Sequence, residues 1–322
     1  MASAIKSGTS FVTNPTYTGT FIPQIWSGKL NVKFYASTVF GEIANTAYEG
    51  DVKNLGDKVI INNIPSMTVR DYEIGQSLTY EVPTPSTVEL IIDKAKYFAF
   101  EVNDVLAYQS QPKLMEMFSD DAANQMKIAI DSAVLLGTFS GGASANKGAT
   151  AGVLSSAYNL GTDLAPLALT GANATNIVSI ITALASVLDE QNVPENDRFI
   201  VFSPYVRNII MQSELRQAYL TGDGQSILRN GKIGTIDRFT AYVSNQVPKA
   251  AAAKDFAGAD LTNALKRQAI IAGQKSAITF AAQLTKMEQT PNPNDFGTYV
   301  RGLSIYGYKV IKPEALALAL VA

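Results

Sequence analysis

Up to Phe34 the apolar side chains follow no sustained period, and the only charges before Glu42 are Lys6, Lys29 and Lys33. Such a stretch, residues 1 to about 34, is expected to be an arm that takes up order only against something else, with Trp26 as its candidate contact. From Gly56 to Val102 the pattern turns strand-like: first Lys58-Val59-Ile60-Ile61, then Thr87-Val88-Glu89-Leu90-Ile91-Ile92 running on into Tyr97-Phe98-Ala99-Phe100.

Between those runs, Asn62 to Ser86 holds Pro65, Pro83 and Pro85, the charges Arg70, Asp71, Glu73 and Glu81, and only isolated apolar residues. A connection this long is uncommon inside a compact domain and is usually functional or disordered. Paired as an open hairpin, legs of about a dozen residues at ~3.3 Å each would project it roughly 40 Å. An isolated two-stranded ribbon is marginal in water, so it would need a neighbouring surface. Tyr72 and Tyr80 are read as anchors for that surface, since a protruding ribbon has little local core for them to enter.

A long helix follows. Ser110 and Gln111 offer a cap before Pro112, and apolar residues recur at Leu114, Phe118, Ala122, Met126, Ala129, Ala133 and Leu136. The opposite stripe carries Lys113, Glu116, Asp120, Asn124, Lys127 and Asp131, and Gly137 is the expected C-terminal cap. About 24 residues at 1.5 Å rise give a rod of ~36 Å, enough to span a domain. Periodicity alone fits an ordinary amphipathic core helix equally well.

Thr138 to Gly152 is a Gly/Ala/Ser/Asn loop and a plausible boundary. Beyond it, Ala174 to Gln191 reads as an apolar helix and Arg198 to Phe202 as a buried strand, with Ser203-Pro204 opening a helix through Glu214. Strand patterns return at Phe239 to Ser244, Gln268 to Ala272 and Ala277 to Ala281. The alternation predicts an α/β or α+β unit over roughly 153–275. Further strands are expected at Gln283 to Gln289 and Tyr299 to Ile311. Leu316, Leu318 and Leu320 alternate with Ala to the end, which predicts a terminal strand tied into a sheet.

Composition narrows the chemistry. The 322 residues include no Cys and no His, which excludes disulfides, thiol redox chemistry, triad hydrolases and zinc sites built on these residues. With 26 Lys+Arg against 28 Asp+Glu, the chain lacks the basic excess that tight nucleic-acid binding requires. No apolar run follows Lys6 as in a secretory signal, and none approaches the ~18 residues of a membrane span, so a cytoplasmically made protein without a membrane partner is expected.

The loop Gly141-Gly142-Ala143-Ser144-Ala145-Asn146-Lys147-Gly148 lacks the Lys-Ser/Thr spacing of a phosphate cradle. Gly222-Asp223-Gly224 and Gly231-Lys232-Ile233-Gly234 lack a dinucleotide-binding context, and Asn292-Pro293-Asn294-Asp295 has no downstream Glu at calcium-loop spacing. The sequence supports no catalytic residue, cofactor or metal site.

Taken in order, these pieces resemble the tailed-phage major capsid proteins of the Hong Kong 97 fold over almost the full length. The resemblance is carried by Phe296-Gly297-Thr298-Tyr299-Val300-Arg301-Gly302-Leu303 and Tyr306 through Leu316, which is similar to that family's C-terminal strands. Asn103-Asp104, Gln109-Ser110, Ala122-Ala123 and Ile130-Asp131 are similar to the approach and body of its spine helix. Gly231 to Ile236 with Val243-Ser244-Asn245 is similar to its axial strands.

The resemblance implies an α+β fold with an N-terminal arm (1–45), an extended E-loop hairpin (57–93), a peripheral domain with the spine helix (94–152 and 276–322) and an axial α/β domain (153–275). It further implies hexamers and pentamers tiling an icosahedral shell, made in the host cytoplasm, around double-stranded DNA bound without sequence specificity. A portal, a separate scaffolding protein and a decoration protein are the expected partners. Arg70, Asp71, Tyr72, Glu73 and Tyr80 are the expected inter-subunit contacts of the E-loop.

Two departures matter. Val59 to Asp93 contains no lysine, so an isopeptide cross-link from an E-loop lysine, known in some members, is not expected. The folded pattern also begins within a few dozen residues, which disfavours a long cleaved scaffolding segment. An encapsulin-like compartment holding protein cargo, or an α/β enzyme or ligand-binding protein with its site in 153–275, are the alternatives.

Overall fold

The computed structural model describes residues 38–47, 58–63, 67–82, 84–103, 114–171, 174–213, 234–250, 267–293 and 296–322. Trp26 and the expected arm before residue 38, Asp104 to Pro112, and the turns at Gly222-Asp223-Gly224 and Gly231-Lys232-Ile233 lie outside them.

The first sheet is built on β10 (Gly297–Val310), flanked in antiparallel register by β3 (Lys94–Asn103) and β9 (Ile278–Pro291). The separate strands expected at 277–281 and 283–289 are one strand. Ile305 faces Leu284 while Tyr306 faces Ala282, so Gln283 is an extra bulge residue that shifts the alternation and made one strand read as two.

Helix α2 (Leu114–Gly141) lies on β3 and β10. It runs through Gly137 instead of ending there. A Cβ at Gly137 would stand 2.0 Å from the Tyr308 ring of β10, so this glycine serves close helix–sheet packing and not a cap. The buried side is also displaced from the expected stripe: Ile130, Asp131, Val134, Leu135 and Thr138 are buried, whereas Phe118 and Leu136 are largely exposed. Asp131, expected in the solvated stripe, is therefore an interior carboxylate.

The second sheet has the order β11-β8-β4-β6-β5, with β7 (Lys249–Ala250) beside β8. Its centre is β4 (Arg198–Phe202), buried throughout, parallel to β6 (Phe239–Val243) and antiparallel to β8 (Arg267–Gln274). The short β5 (Thr235–Ile236) closes one edge, and β11 (Leu316–Val321) closes the other with all six residues buried. Helix α3 (Ile177–Glu190), capped by Asn176 accepting from the Val178 N–H, packs on β11; α4 (Pro204–Gln212) is capped by Ser203.

The expected division at 275/276 falls between the two sheets, whereas β11, on the C-terminal side of it, joins the six-stranded sheet. β8 passes through a short 3-10 turn, Lys275–Ala277, into β9 of the other sheet, and β11 returns to pair with β8. Residues 316–321 therefore belong with the six-stranded sheet. One core runs under both sheets, from Val134 and Leu135 of α2 to Ile200 of β4 and Tyr306 of β10.

Arg198 carries a fully buried guanidinium that donates to Asp189 at 2.7 Å and to the Val193 and Pro194 carbonyls. Arg238, in the left-handed turn Asp237-Arg238 between β5 and β6, holds the other Asp189 oxygen at 2.9 Å. Desolvation pushes the Asp189 carboxyl up, but the hydrogen bonds from both arginines outweigh it and hold it below its ordinary value.

Candidate functional site

The two strands read as one continuous run belong to different sheets. β2 (Ser86–Ile91) pairs with β1 (Lys58–Asn63) in an antiparallel ladder from Lys58↔Ile91 to Asn63↔Ser86, and the chain then turns at Ile92-Asp93 into β3. The ladder covers six pairs and forms the base from which the expected projecting segment, Asn62 to Ser86, departs. Its base rests on the chain's own body: Ile61, Leu90 and Ile92 pack with Ala281 and Ile311, and Gly307 of β10 lies directly under the Ile91 carbonyl.

Beyond the base the loop leaves that support. Every described residue from Met67 to Val82 is exposed. The tip is a turn in which the Gln76 N–H donates to the Glu73 carbonyl at 3.0 Å, with Gly75 at φ +94° in the third position that a type II turn reserves for glycine. Glu81 ties the two legs together, accepting from the Thr68 N–H at 3.3 Å and from Arg70 at 3.0 Å. The Thr68 backbone bond, then Arg70, hold the Glu81 carboxyl below its ordinary value.

All five E-loop residues expected at an interface lie together on this segment. Asp71, Tyr72 and Glu73 lead into the turn; Tyr80 is on the returning leg, 85% exposed; Arg70 is exposed while bridging the legs to Glu81. Sequence reading missed their apolar company. Met67, Val69, Ile74, Leu78 and Val82 join Tyr72 and Tyr80 to make seven large apolar side chains, each at least 61% exposed. The signal is the period-two alternation of Met67-Thr68-Val69 and Leu78-Thr79-Tyr80-Glu81-Val82, which is too short on each leg to stand out from isolated apolar residues. A contiguous exposed apolar segment of this kind marks an interaction surface.

The glycine-rich loop after α2 is a structural joint. Asn146 is buried, donates through its amide to the Glu314 and Leu316 carbonyls at 2.7 and 2.8 Å, and accepts from Gln191 at 2.9 Å, pinning the loop beneath β11. Beside it a cleft of about 510 Å³ is walled by Leu136, Phe139, Leu318 and Leu320, with Lys147 and Asp163 among its polar lining. Among the described residues no three His, Cys, Asp or Glu side chains are grouped to hold a metal ion, and no helix is long and apolar enough to cross a membrane.

The family model described as "Phage capsid protein" matches residues 87–319. The chain belongs to the phage capsid protein family. Solved structures place this capsid protein in the Hong Kong 97-type fold of tailed-phage shells. A structure from Mycobacterium phage Che8 aligns over 93% of this chain and 97% of its own, with TM-score 0.70 and 24% identity. The capsid structure of cyanophage P-SCSP1u aligns over 94% and 93%, with TM-score 0.70 and 17% identity. The capsid of a native GTA particle aligns over 95% and 97%, with TM-score 0.64 and 12% identity. No curated protein sequence matches the capsid protein. The family match begins at Thr87, inside β2, so the exposed tip precedes the segment that defines the family.

Proposed function

We propose that copies of this capsid protein assemble through the 67–82 tip into the hexamers and pentamers of an icosahedral shell. The observation that carries the reading is the tip itself: seven large apolar side chains held out from the body, next to charges that fix the shape of the loop without covering them. Seated on an adjacent copy, those side chains would leave water, and each copy would both donate a tip and receive one. Many individually weak contacts then make escape of a single subunit from a closed shell improbable.

In this reading the hairpin is the E-loop, the β3-β10-β9 sheet with α2 is the peripheral domain, and the β4-centred sheet, now including β11, is the axial domain. The shell encloses double-stranded DNA, and a formal charge of −2 suits a container that must not grip its contents. Assembly takes place in the host cytoplasm, guided by a separate scaffolding protein and a portal, and the role is mechanical with no catalytic step. Electron microscopy of purified protein, with scaffold added, tests the reading: closed shells or capsomers are expected. A strictly monomeric protein at micromolar concentrations with scaffold present would refute it, and shells enclosing protein cargo in place of nucleic acid would transfer the fold to a compartment.

A further inference from the structure

Residues 38–47 lie as a strap across the junction of the two sheets. Its front is a single helical turn, α1 (Phe40–Ile43), in which Ile43 is fully buried and the Phe40 ring meets Phe280 of β9 at 5.0 Å. Its rear joins β9: the Asn45 N–H donates to the Ile278 carbonyl at 2.8 Å, and the Phe280 N–H donates to the Asn45 carbonyl at 3.0 Å. The strap thus touches α2 and β9 at once.

Two polar groups under the strap are poorly compensated. Asp131 of α2 is fully buried. One carboxylate oxygen accepts from the Val39 and Phe40 N–H groups at 3.0 and 2.9 Å, and the Ser244 hydroxyl donates to the other across 3.5 Å. Among the described residues no cation pairs with it. Burial pushes this carboxyl above its ordinary value, against the three hydrogen bonds that pull it down. The second group is the Thr279 hydroxyl of β9, on the residue that bridges to Asn45, which is buried and has no hydrogen-bond partner among the described residues. Lifting the strap would return the carboxylate to water and expose the hydroxyl, recovering solvation that the docked position forfeits.

We propose that the strap is a two-position element, docked as described or released when subunits rearrange, with Asp131 and Thr279 as a built-in bias toward release. The apolar contacts of Val39, Phe40, Ile43 and Ala44 hold it down, and the two polar groups keep that hold shallow. The inference rests on contacts within one chain and stands or falls apart from the shell reading.

Hydrogen exchange of the 38–47 segment, followed by mass spectrometry on dispersed full-length protein at neutral pH, reads the opening equilibrium directly. Asp131→Asn keeps the shape and one carbonyl acceptor, removes the charge, and offers its amide N–H to Ser244. Thr279→Val removes the orphan hydroxyl at nearly constant volume. Each is expected to slow exchange at Val39, Phe40 and Asn45 by at least about fivefold, the lower end for relieving one uncompensated buried polar group. Asp131→Ala, which also deletes the acceptor, is expected to speed it. Slower exchange in either near-isosteric variant supports the bias; exchange unchanged or faster in both overturns it.

Discussion

Gly307→Ala tests whether the projecting hairpin is set by its seat on β10. A Cβ at this position would lie 2.4 Å from the Ile91 carbonyl oxygen and 3.0 Å from the Ile92 Cα. Both obstacles are backbone, so no side-chain rotation relieves them, and the base of the hairpin has to retreat by about 0.6 Å to reach a tolerable 3.0 Å. That retreat loosens the cluster of Ile61, Leu90 and Ile92 against Ala281 and Ile311. Forcing a methyl into a packed contact costs about 1–3 kcal/mol. Removing a glycine from a strand returns about 0.5–1 kcal/mol of that. The net expectation is a loss of about 1–2 kcal/mol in urea unfolding, with faster hydrogen exchange concentrated in 58–63 and 86–91. Stability equal to or above wild type, or loss spread evenly over both sheets, would refute the seat as drawn.

Replacing Arg70, Asp71, Tyr72 and Glu73 together with Ala is expected to leave subunit unfolding within about 0.5 kcal/mol of wild type, as surface changes do, while sharply reducing shell yield by electron microscopy; equal loss of folding and assembly would contradict it. Leu90→Ala empties a fully buried site at the hairpin base and should cost about 2–5 kcal/mol in urea unfolding. Buried Asp131 and exposed Asp189 make opposite contributions to stability against pH. Asp131, raised by burial, contributes fully below the ordinary value of 3.8 and loses that contribution as pH rises through its folded value. Asp189, held low against burial by Arg198 and Arg238, contributes above 3.8 and loses it as pH falls through its folded value. Urea titrations across pH should therefore show the Asp131 dependence vanish in Asp131→Asn, although Glu42 on the strap, Tyr242 on β6, Tyr306 on β10 and Lys127 on α2 all remain.

Much of the architecture was legible because its signals are local. Asn176 and Ser203 cap the helices they precede, and Arg198–Phe202 is the buried centre of its sheet. The glycines misled where tertiary packing overrides local preference: Gly137 is a cap by sequence and a contact in the fold, because only the position of Tyr308 distinguishes the two. Asp131 was misplaced for the same reason. A carboxylate on a polar stripe looks solvated until a distant segment, 91 residues away at Phe40, brings backbone N–H groups onto it. Topology was harder still, since nothing in Leu316–Val321 states that its partner is β8 and not the neighbouring β10. At the tip, charges draw attention to Arg70–Glu73, while the apolar residues alternating beside them are each at least 61% exposed.

The chain contains no cysteine, so Ile74→Cys introduces a single thiol at the 99%-exposed apex of the tip. Maleimide labelling of this variant, compared between dispersed subunits and assembled shells, measures whether the apex is buried by a neighbouring copy. Rapid labelling of free subunits with strong protection in shells is the predicted outcome; equally rapid labelling in both would show that the tip stays in water and that the shell is held together elsewhere.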